Sequence, residues 1–216
     1  MAGEKITKGK IIRAVLDSAF EKSTGGTSLA DIAAILGIKK ASLYNHFLNR
    51  DDMVHATSAT CGDILAKVHF IPEHLDSIAP RYTASALIKA LVKRYIQLCE
   101  SEPVFQIYVY IESQKFFDQQ VSRIALDQKA RFTGECLVLL QSLAHAKKID
   151  AEKARAATAI WFANGLHELI IRYLQERKDI LRSHPHGENS LFEPPSSKDT
   201  LRQIETLLQE FTALLQ

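Results

Sequence analysis

The stretch LGIKKASLYNHF, residues 36–47, carries more hydrogen-bonding side chains than a purely structural helix needs. Lysine ammonium groups bind phosphate oxygens or guanine acceptors, an asparagine amide pairs with adenine, and serine and tyrosine hydroxyls bind phosphates. Leu43 and Phe47 are one helical turn apart, which predicts that both are buried and that the polar residues around them point outward. The pattern favours contact with DNA over its alternative, a polar surface helix in a bundle.

The preceding residues predict the element that positions this stretch. From Leu29, apolar residues recur at i, i+3, i+4 and i+7, the spacing of a short amphipathic helix, and Thr27 or Ser28 is placed to cap its start. Gly37 follows where the chain must leave that helix with a positive φ. The prediction is helix, tight turn, helix, the arrangement that places a recognition helix in the major groove of DNA.

The rest of the chain also has helical periodicity. No stretch alternates apolar and polar residues for more than a few positions, so the sequence predicts an all-α fold. We expect about nine helices: three in an N-terminal helix-turn-helix DNA-binding domain, residues 1–50, and the others in a C-terminal helical bundle for ligand binding and dimerisation, residues 51–216. The expected long helices cover residues 7–22, 51–69, 81–99, 103–112, 119–147, 151–178 and the end of the chain from residue 201.

The charge distribution and the number of cysteines limit the class of protein to which the chain can belong. The net charge is only +2, but residues 1–50 hold eight lysines and arginines against four acids, so the N-terminal part is basic and the remainder slightly acidic. This asymmetry suits a polyanion-binding domain, or simply a solvated surface. Three cysteines without a CxxC pair fit a reducing cytoplasm, and no apolar run approaches the roughly 18 residues of a membrane span. We expect a cytoplasmic protein with no membrane partner.

The segment from Lys10 to Val54 resembles the N-terminal domain of the TetR family of transcriptional regulators. The similarity rests on TSLADIAAILGIKKASLYNHFLNRDDMV, residues 27–54: the TS pair, DIA, the LGI turn, SLYNHF, and the Asn-Arg-Asp-Asp-Met opening of the next helix. Over the remaining chain the similarity is architectural only. One departure is Lys39, which stands where the family often has a Ser or Thr as the N-cap of the recognition helix.

The resemblance implies a homodimer that binds a double-stranded DNA operator and represses transcription. The residues that it implies for DNA contact are Thr27, Ser28, Lys39, Lys40, Ser42, Tyr44, Asn45, His46 and Arg50. Thr27 or Ser28, Tyr44 and Arg50 would contact phosphates, whereas the two lysines, Ser42 and Asn45 would face the groove. Two roles are left open for His46: its side chain packs beside the recognition helix, or it contacts a phosphate.

No catalytic or metal motif accompanies this domain. His167 and Glu168 are followed by leucine and isoleucine, so the pair is not part of an HExxH zinc site, and there is no Ser-His-Asp order, P-loop or dinucleotide fingerprint. His184, His186 and Glu188 could bind a metal, but two histidines in a loop define no geometry, so we favour a surface loop. We assign no catalytic residue, no metal and no cofactor.

An aromatic-rich segment, residues 103–117, has two interpretations. Aromatics fill cores, but apolar walls with a few polar groups between the helices of a bundle also describe a ligand pocket. The residues predicted for such a pocket are Phe105, Tyr108, Glu112, Phe116, Phe132, Cys136, Trp161 and Asn164. Its ligand would be an inducer, a small and largely apolar molecule.

The last two helices are the predicted dimer contact. The final helix carries an apolar stripe at steps of three and four residues, broader than one neighbour usually needs, and small residues on the helix before it allow close approach. The predicted interface residues are Ala159, Ala163, Leu201, Ile204, Leu208, Phe211 and Leu215.

The sequence therefore predicts a ligand-responsive repressor that a small molecule releases from a palindromic operator. One rival is a DNA-binding regulator with a filled core and no ligand. Another is a helical small-molecule carrier or enzyme, which specific binding to DNA at physiological salt would exclude.

Overall fold

The computed structural model describes residues 5–183 and 198–216, and in these ranges all regular secondary structure is helical. The α-helices are α1 (Lys8–Gly26), α2 (Leu29–Leu36), α3 (Arg50–Leu65), α4 (Leu75–Ile78), α5 (Ala84–Glu100), α6 (Val104–Gln114), α7 (Gln119–His145), α8 (Ala156–Ser183) and α9 (Lys198–Leu214). Short 3₁₀ helices cover Lys40–Asn45, Ala79–Arg81 and Ala151–Lys153. The predicted all-α class is confirmed. The predicted loop with His184, His186 and Glu188 lies outside the described residues.

Local sequence signals explain several boundaries. The hydroxyl oxygen of Thr7 accepts a hydrogen bond from the backbone N–H of Lys10 at 3.3 Å, so Thr7 is the N-cap of α1. α1 continues to Gly26, past its predicted end, across a non-helical residue, Ser23, with φ 69°. α8 begins at Ala156, later than predicted, because residues 151–153 close a separate 3₁₀ turn.

Residues 5–67 and 102–126 form one compact unit, in which α1 packs on α2, α3 and α6. Two contacts between α1 and α6 are specific. The rings of Phe20 and Phe105 meet edge to face at 5.3 Å, and the Gln106 amide donates a hydrogen bond to Asp17 Oδ1 at 2.9 Å. The predicted domain boundary at residue 50 stays a prediction, but α3 and α6 share the core of the N-terminal helices.

The second unit contains residues 68–101 and 127–216, of which 184–197 are outside the described part. Its core includes an aromatic cluster in which the Phe132 ring stacks on Tyr95 at 5.1 Å and meets Phe70 edge to face. Phe162 of α8 stacks on Phe211 of α9 at 4.0 Å. Among the described helices of the chain, none is long and apolar enough to cross a membrane.

The turn after α2 depends on Gly37, whose φ of 64° and ψ of 31° are left-handed. A Cβ added there would meet no atom within 4 Å, so a side chain would cost only backbone strain. We expect Gly37→Ala to lower the free energy of unfolding by about 1–2 kcal/mol, measured by urea denaturation.

Gly25→Ala is the matched control. Gly25 lies in α1 without a positive φ, and its added Cβ would also meet nothing within 4 Å. Because alanine loses less conformational entropy than glycine on folding, this variant should be as stable as the parent chain or slightly more stable. Equal destabilisation of both variants would contradict the assignment of strain to Gly37.

Candidate nucleic-acid interface

The residues Lys40–Asn45, here called the recognition segment, are held in place by two buried anchors. Leu43 is 1% exposed and Phe47 is 3% exposed. Both belong to an apolar cluster with residues of α1, α2 and α3, which includes Val15, Ile32 and Met53. The burial that the sequence predicted for the two anchors is therefore observed.

The polar residues beside these anchors face outward. Lys39, Lys40, Tyr44 and Asn45 are exposed, and none of their side chains forms a hydrogen bond or ion pair with another described residue. Ser42 and His46 are half-buried. Two ammonium groups, one amide and one phenol are thus available to a ligand outside this unit.

The backbone explains why the recognition segment is a 3₁₀ helix and not the predicted α-helix. α2 ends in a left-handed turn, in which the N–H of Ile38 donates to Ala33 O at 3.0 Å. Lys39 is at the N-cap position of the segment, but its side chain forms no capping hydrogen bond. The N–H of Ser42 donates to Lys39 O, three residues earlier, at 2.8 Å. An uncapped run of six residues closes with the tighter i to i+3 bonds.

The start of α2 is fixed by a capping box. Ser28 Oγ accepts from the N–H of Asp31 at 3.1 Å, while Asp31 Oδ2 accepts from Ser28 N–H at 2.9 Å. Lys22 of α1 adds an ion pair to Asp31 Oδ1 at 2.5 Å. The Lys22 hydrogen bond, followed by those from Ser28, holds the pKa of Asp31 well below its usual range. Ser28 stays exposed near the recognition segment, but its hydroxyl already has a partner.

Thr27 and Arg50 have structural partners. Thr27 is buried, and its hydroxyl donates to Ser23 O at 2.8 Å. The Arg50 guanidinium donates to the backbone oxygens of Thr24 at 2.7 Å and Thr27 at 3.3 Å. The resemblance implied phosphate contacts for Thr27 or Ser28 and for Arg50; in this structure, Arg50 joins the start of α3 to the end of α1 and to Thr27.

Sequence reasoning missed a second cap, at the start of α3. Asn49 Oδ1 accepts from the N–H of Asp52 at 2.8 Å, and Asp52 Oδ2 accepts from the N–H of Leu48 at 3.0 Å. Its signal was present in the sequence as Asn-x-x-Asp, the same spacing as the Ser-x-x-Asp box of α2. The cap fixes the first turn of α3 and therefore the position of Arg50.

Comparison with known protein families agrees with this geometry. Residues 11–57, which include most of α1, all of α2, the recognition segment and the first half of α3, match the family described as bacterial regulatory proteins, tetR family. These residues therefore form a TetR-family domain, and the predicted family is confirmed. The chain is a transcriptional regulator.

Two curated relatives of this chain are negative regulators of the biofilm operon icaADBC, both named IcaR. The one from Staphylococcus aureus (strain Newman) is 26% identical over 142 residues, which cover 59% of this chain and 74% of the relative. The one from Staphylococcus epidermidis is 30% identical over 106 residues, which cover 49% of this chain and 54% of the relative.

Solved structures support the same fold over nearly the whole chain. A transcriptional regulator from Rhodococcus sp. Rha1 has a TM-score of 0.58 and 16% identity, over 95% of this chain and 97% of that one. Salmonella enterica GusR has a TM-score of 0.54 and 16% identity, over 96% and 94%. At such identities the similarity establishes the fold alone.

Four of the residues predicted for the inducer pocket lie in the first unit, where they differ in environment. Phe105 and Tyr108 are buried on α6, and Glu112 accepts from Lys115 at 2.7 Å. Phe116 is 84% exposed. The buried pair therefore belongs to the core of this unit, whereas Phe116 lies on its surface.

The other four predicted pocket residues lie in the second unit and do not share one environment either. Phe132 and Cys136 of α7 are buried, and Phe132 belongs to the aromatic cluster with Tyr95. Asn164 and Trp161 of α8 are exposed, the latter by 48%, with the indole ring 5.8 Å from that of Phe211. The assignment of all eight residues to a ligand stays a prediction.

The predicted dimer stripe packs inside the chain. Ala159, Ala163, Ile204, Leu208, Phe211 and Leu215 are buried and Leu201 is half-buried, all without a second copy present. Buried side chains have almost no surface to offer a partner. The large apolar side chains that α8 and α9 leave exposed are Ile160, Trp161, Leu181 and Leu214, and Leu207 is half-buried. We call Ile160, Trp161, Leu207 and Leu214 the α8/α9 outer face.

The three cysteines are poor redox sensors. All are buried, and desolvation raises the pKa of Cys61 to about 12 and also raises that of Cys136. The thiolate is the reactive form of cysteine, so thiols held protonated in a core react slowly with oxidants.

The contacts of Arg50 lead to a prediction. Arg50→Gln removes charged hydrogen bonds to two backbone oxygens, so we expect the free energy of unfolding to fall by about 1–3 kcal/mol in urea denaturation. Arg123→Gln is the control, because Arg123 is an exposed arginine of the same unit with no partner among the described residues. If Arg50→Gln were as stable as this control, the anchoring role of Arg50 would be refuted.

Proposed function

We propose that this TetR-family chain is a cytoplasmic repressor that binds a palindromic operator through the recognition segment. The observation that carries the proposal is the set of free polar side chains beside two buried anchors: Lys39, Lys40, Tyr44 and Asn45 project from the surface that Leu43 and Phe47 hold in place. In a helix-turn-helix protein this surface enters the major groove. Repression is the role named for the staphylococcal relatives.

The chemistry of each side chain suggests its contact. Lys39 and Lys40 would neutralise phosphates or reach guanine acceptors, and the Asn45 amide would pair with the N6 and N7 atoms of adenine. Tyr44 and half-buried Ser42 would donate to phosphates, whose contacts fix the register of the protein on DNA. Ser28 and His46 would add contacts to the DNA backbone at the edge of this surface. Thr27 and Arg50 would act by holding the surface together.

Two substitutions separate the proposed roles. Lys40→Ala should weaken binding to all DNA sequences and reduce the slope of log affinity against log salt by about one unit. Asn45→Ala should lose about 1–3 kcal/mol on the operator and little on random DNA. Fluorescence anisotropy, with DNA from upstream of the chain's own gene against scrambled DNA, measures both effects.

Lys148→Ala is the control for loss of an exposed lysine, because Lys148 lies in the second unit, outside the residues that match the family model. Its salt slope and operator affinity should equal those of the parent chain. Unchanged binding by both the Lys40 and the Asn45 variants would show that the recognition segment does not read the operator.

We also propose a homodimer through the α8/α9 outer face. TetR-family regulators usually form homodimers, and a two-fold axis beside these helices would pair the same apolar residues from both copies. Trp161 and Leu214 are about half exposed in the single chain, which leaves apolar area for a partner to cover. Two recognition segments would then address the two halves of the operator.

A charge placed on this face tests the dimer. Leu214→Glu should shift the mass measured by sedimentation at micromolar concentration from twice 24.2 kDa to 24.2 kDa, because a carboxylate buried at an interface is costly. Ala213→Glu is the control, since Ala213 is the exposed preceding residue and does not belong to the outer face. A single-chain mass for the parent protein, or dissociation of both variants, would contradict the proposed interface.

We propose that a small, largely apolar molecule releases the repressor from DNA. It would favour a conformation of the second unit in which the protein binds the operator less well. Such a ligand must bind the two states with different affinity. The buried cysteines support a ligand over an oxidant as the signal. A regulator with a filled core and no ligand remains the rival, and ligand-induced loss of operator binding separates the two.

A further inference from the structure

A cavity of about 480 Å³ lies in the second unit, along the side of α9 that faces α5, with Tyr173 of α8 at one end. This volume falls within the range of roughly 300–1,000 Å³ typical of small-molecule sites. None of the residues that the sequence suggested for an inducer lines this cavity, here called the α5/α9 groove.

The floor of the groove is apolar. α5 contributes Val92 and Ile96, one helical turn apart, and α9 contributes Leu201, Ile204 and Leu208 at the matching spacing. An apolar chain or ring that covers this surface is bound more favourably, by about 25 cal/mol for each Å² of apolar surface removed from water.

One end of the groove already has its charges paired. Glu100 accepts a hydrogen bond from the Tyr173 hydroxyl and lies 3.5 Å from Arg177 Nε. This is the end where α9 begins, because Thr200 donates to Glu176 of the same α8 segment at 2.6 Å. Glu100 is therefore not available to a ligand.

The other end carries two free cations. Lys89 precedes Glu100 by eleven residues, about 16 Å along α5, and therefore lies toward Leu208. Lys89 and Lys93 are exposed, one turn apart, and neither forms an ion pair or hydrogen bond with a side chain of the described residues. Glu205 is a single carboxylate on the opposite rim, so the two ammonium groups are in excess there.

We propose that the α5/α9 groove binds an amphipathic organic anion, with its apolar body along half-buried Ile96 and Leu201 and its anionic group at Lys89 and Lys93. The apolar floor supplies affinity, and the two ammonium groups select a negative head group by charge-assisted hydrogen bonds. The inference is independent of the proposed DNA contacts, because the groove is formed by α5, α8 and α9.

Calorimetric titration of the full chain with decanoate, without DNA, tests the site. Decan-1-ol and decyltrimethylammonium have the same tail with a neutral or a positive head group. We expect saturable binding of one decanoate per chain, with affinity about tenfold weaker for the alcohol and weaker again for the cation, since each loses the charged hydrogen bonds.

The variants locate the site. Lys89→Gln with Lys93→Gln should reduce decanoate affinity about tenfold and leave decan-1-ol binding unchanged. Lys129→Gln with Lys148→Gln removes two exposed lysines elsewhere in the second unit and should change neither. Equal affinity for decanoate and decan-1-ol, equal effects of the two double variants, or no saturable binding would each overturn the proposal.

Discussion

The burial of Leu43 and Phe47 is the interaction on which the nucleic-acid interface depends. A 3₁₀ helix of six residues with no side-chain cap has no independent stability in water, because so few hydrogen bonds cannot offset the entropy of ordering the chain. Each fully buried side chain of this size contributes about 1.5–3 kcal/mol. Packing of the two anchors against α1, α2 and α3 therefore orders the segment, and the exposed positions of Lys40, Tyr44 and Asn45 are its geometric consequence.

The polar contacts of the first unit reinforce that packing at the helix ends. The Ser28 box starts α2, the Asn49 cap starts α3, and Arg50 binds the backbone at the end of α1. Asp17 accepts hydrogen bonds from Arg13 of its own helix and from Gln106 of α6. α6 is therefore joined to α1 by a polar contact as well as by packing.

α9 has three sides with different surroundings. Phe211 is buried against α8, Ile204 and Leu208 form the buried floor of the α5/α9 groove beside Leu201 and Glu205, and Leu207 and Leu214 lie on the outer face. An amphipathic helix with so broad an apolar stripe has more than one neighbour to satisfy. The proposed ligand and the proposed second copy would thus contact the same helix from different directions.

The sequence alone determined the helical class, a cap at Thr27 or Ser28, the turn at Gly37 and the outward polar surface, because each depends on residues within about two helical turns. It did not determine which faces of α8 and α9 remain exposed: a stripe of leucines is the same signal whether a helix packs on its own chain or on a second copy. The role of Arg50 depends in the same way on contacts with residues far from it in the sequence, since its guanidinium binds the backbone oxygens of Thr24 and Thr27. The α5/α9 groove joins residues more than 100 positions apart, and only the tertiary fold brings free lysines and an apolar floor to one place.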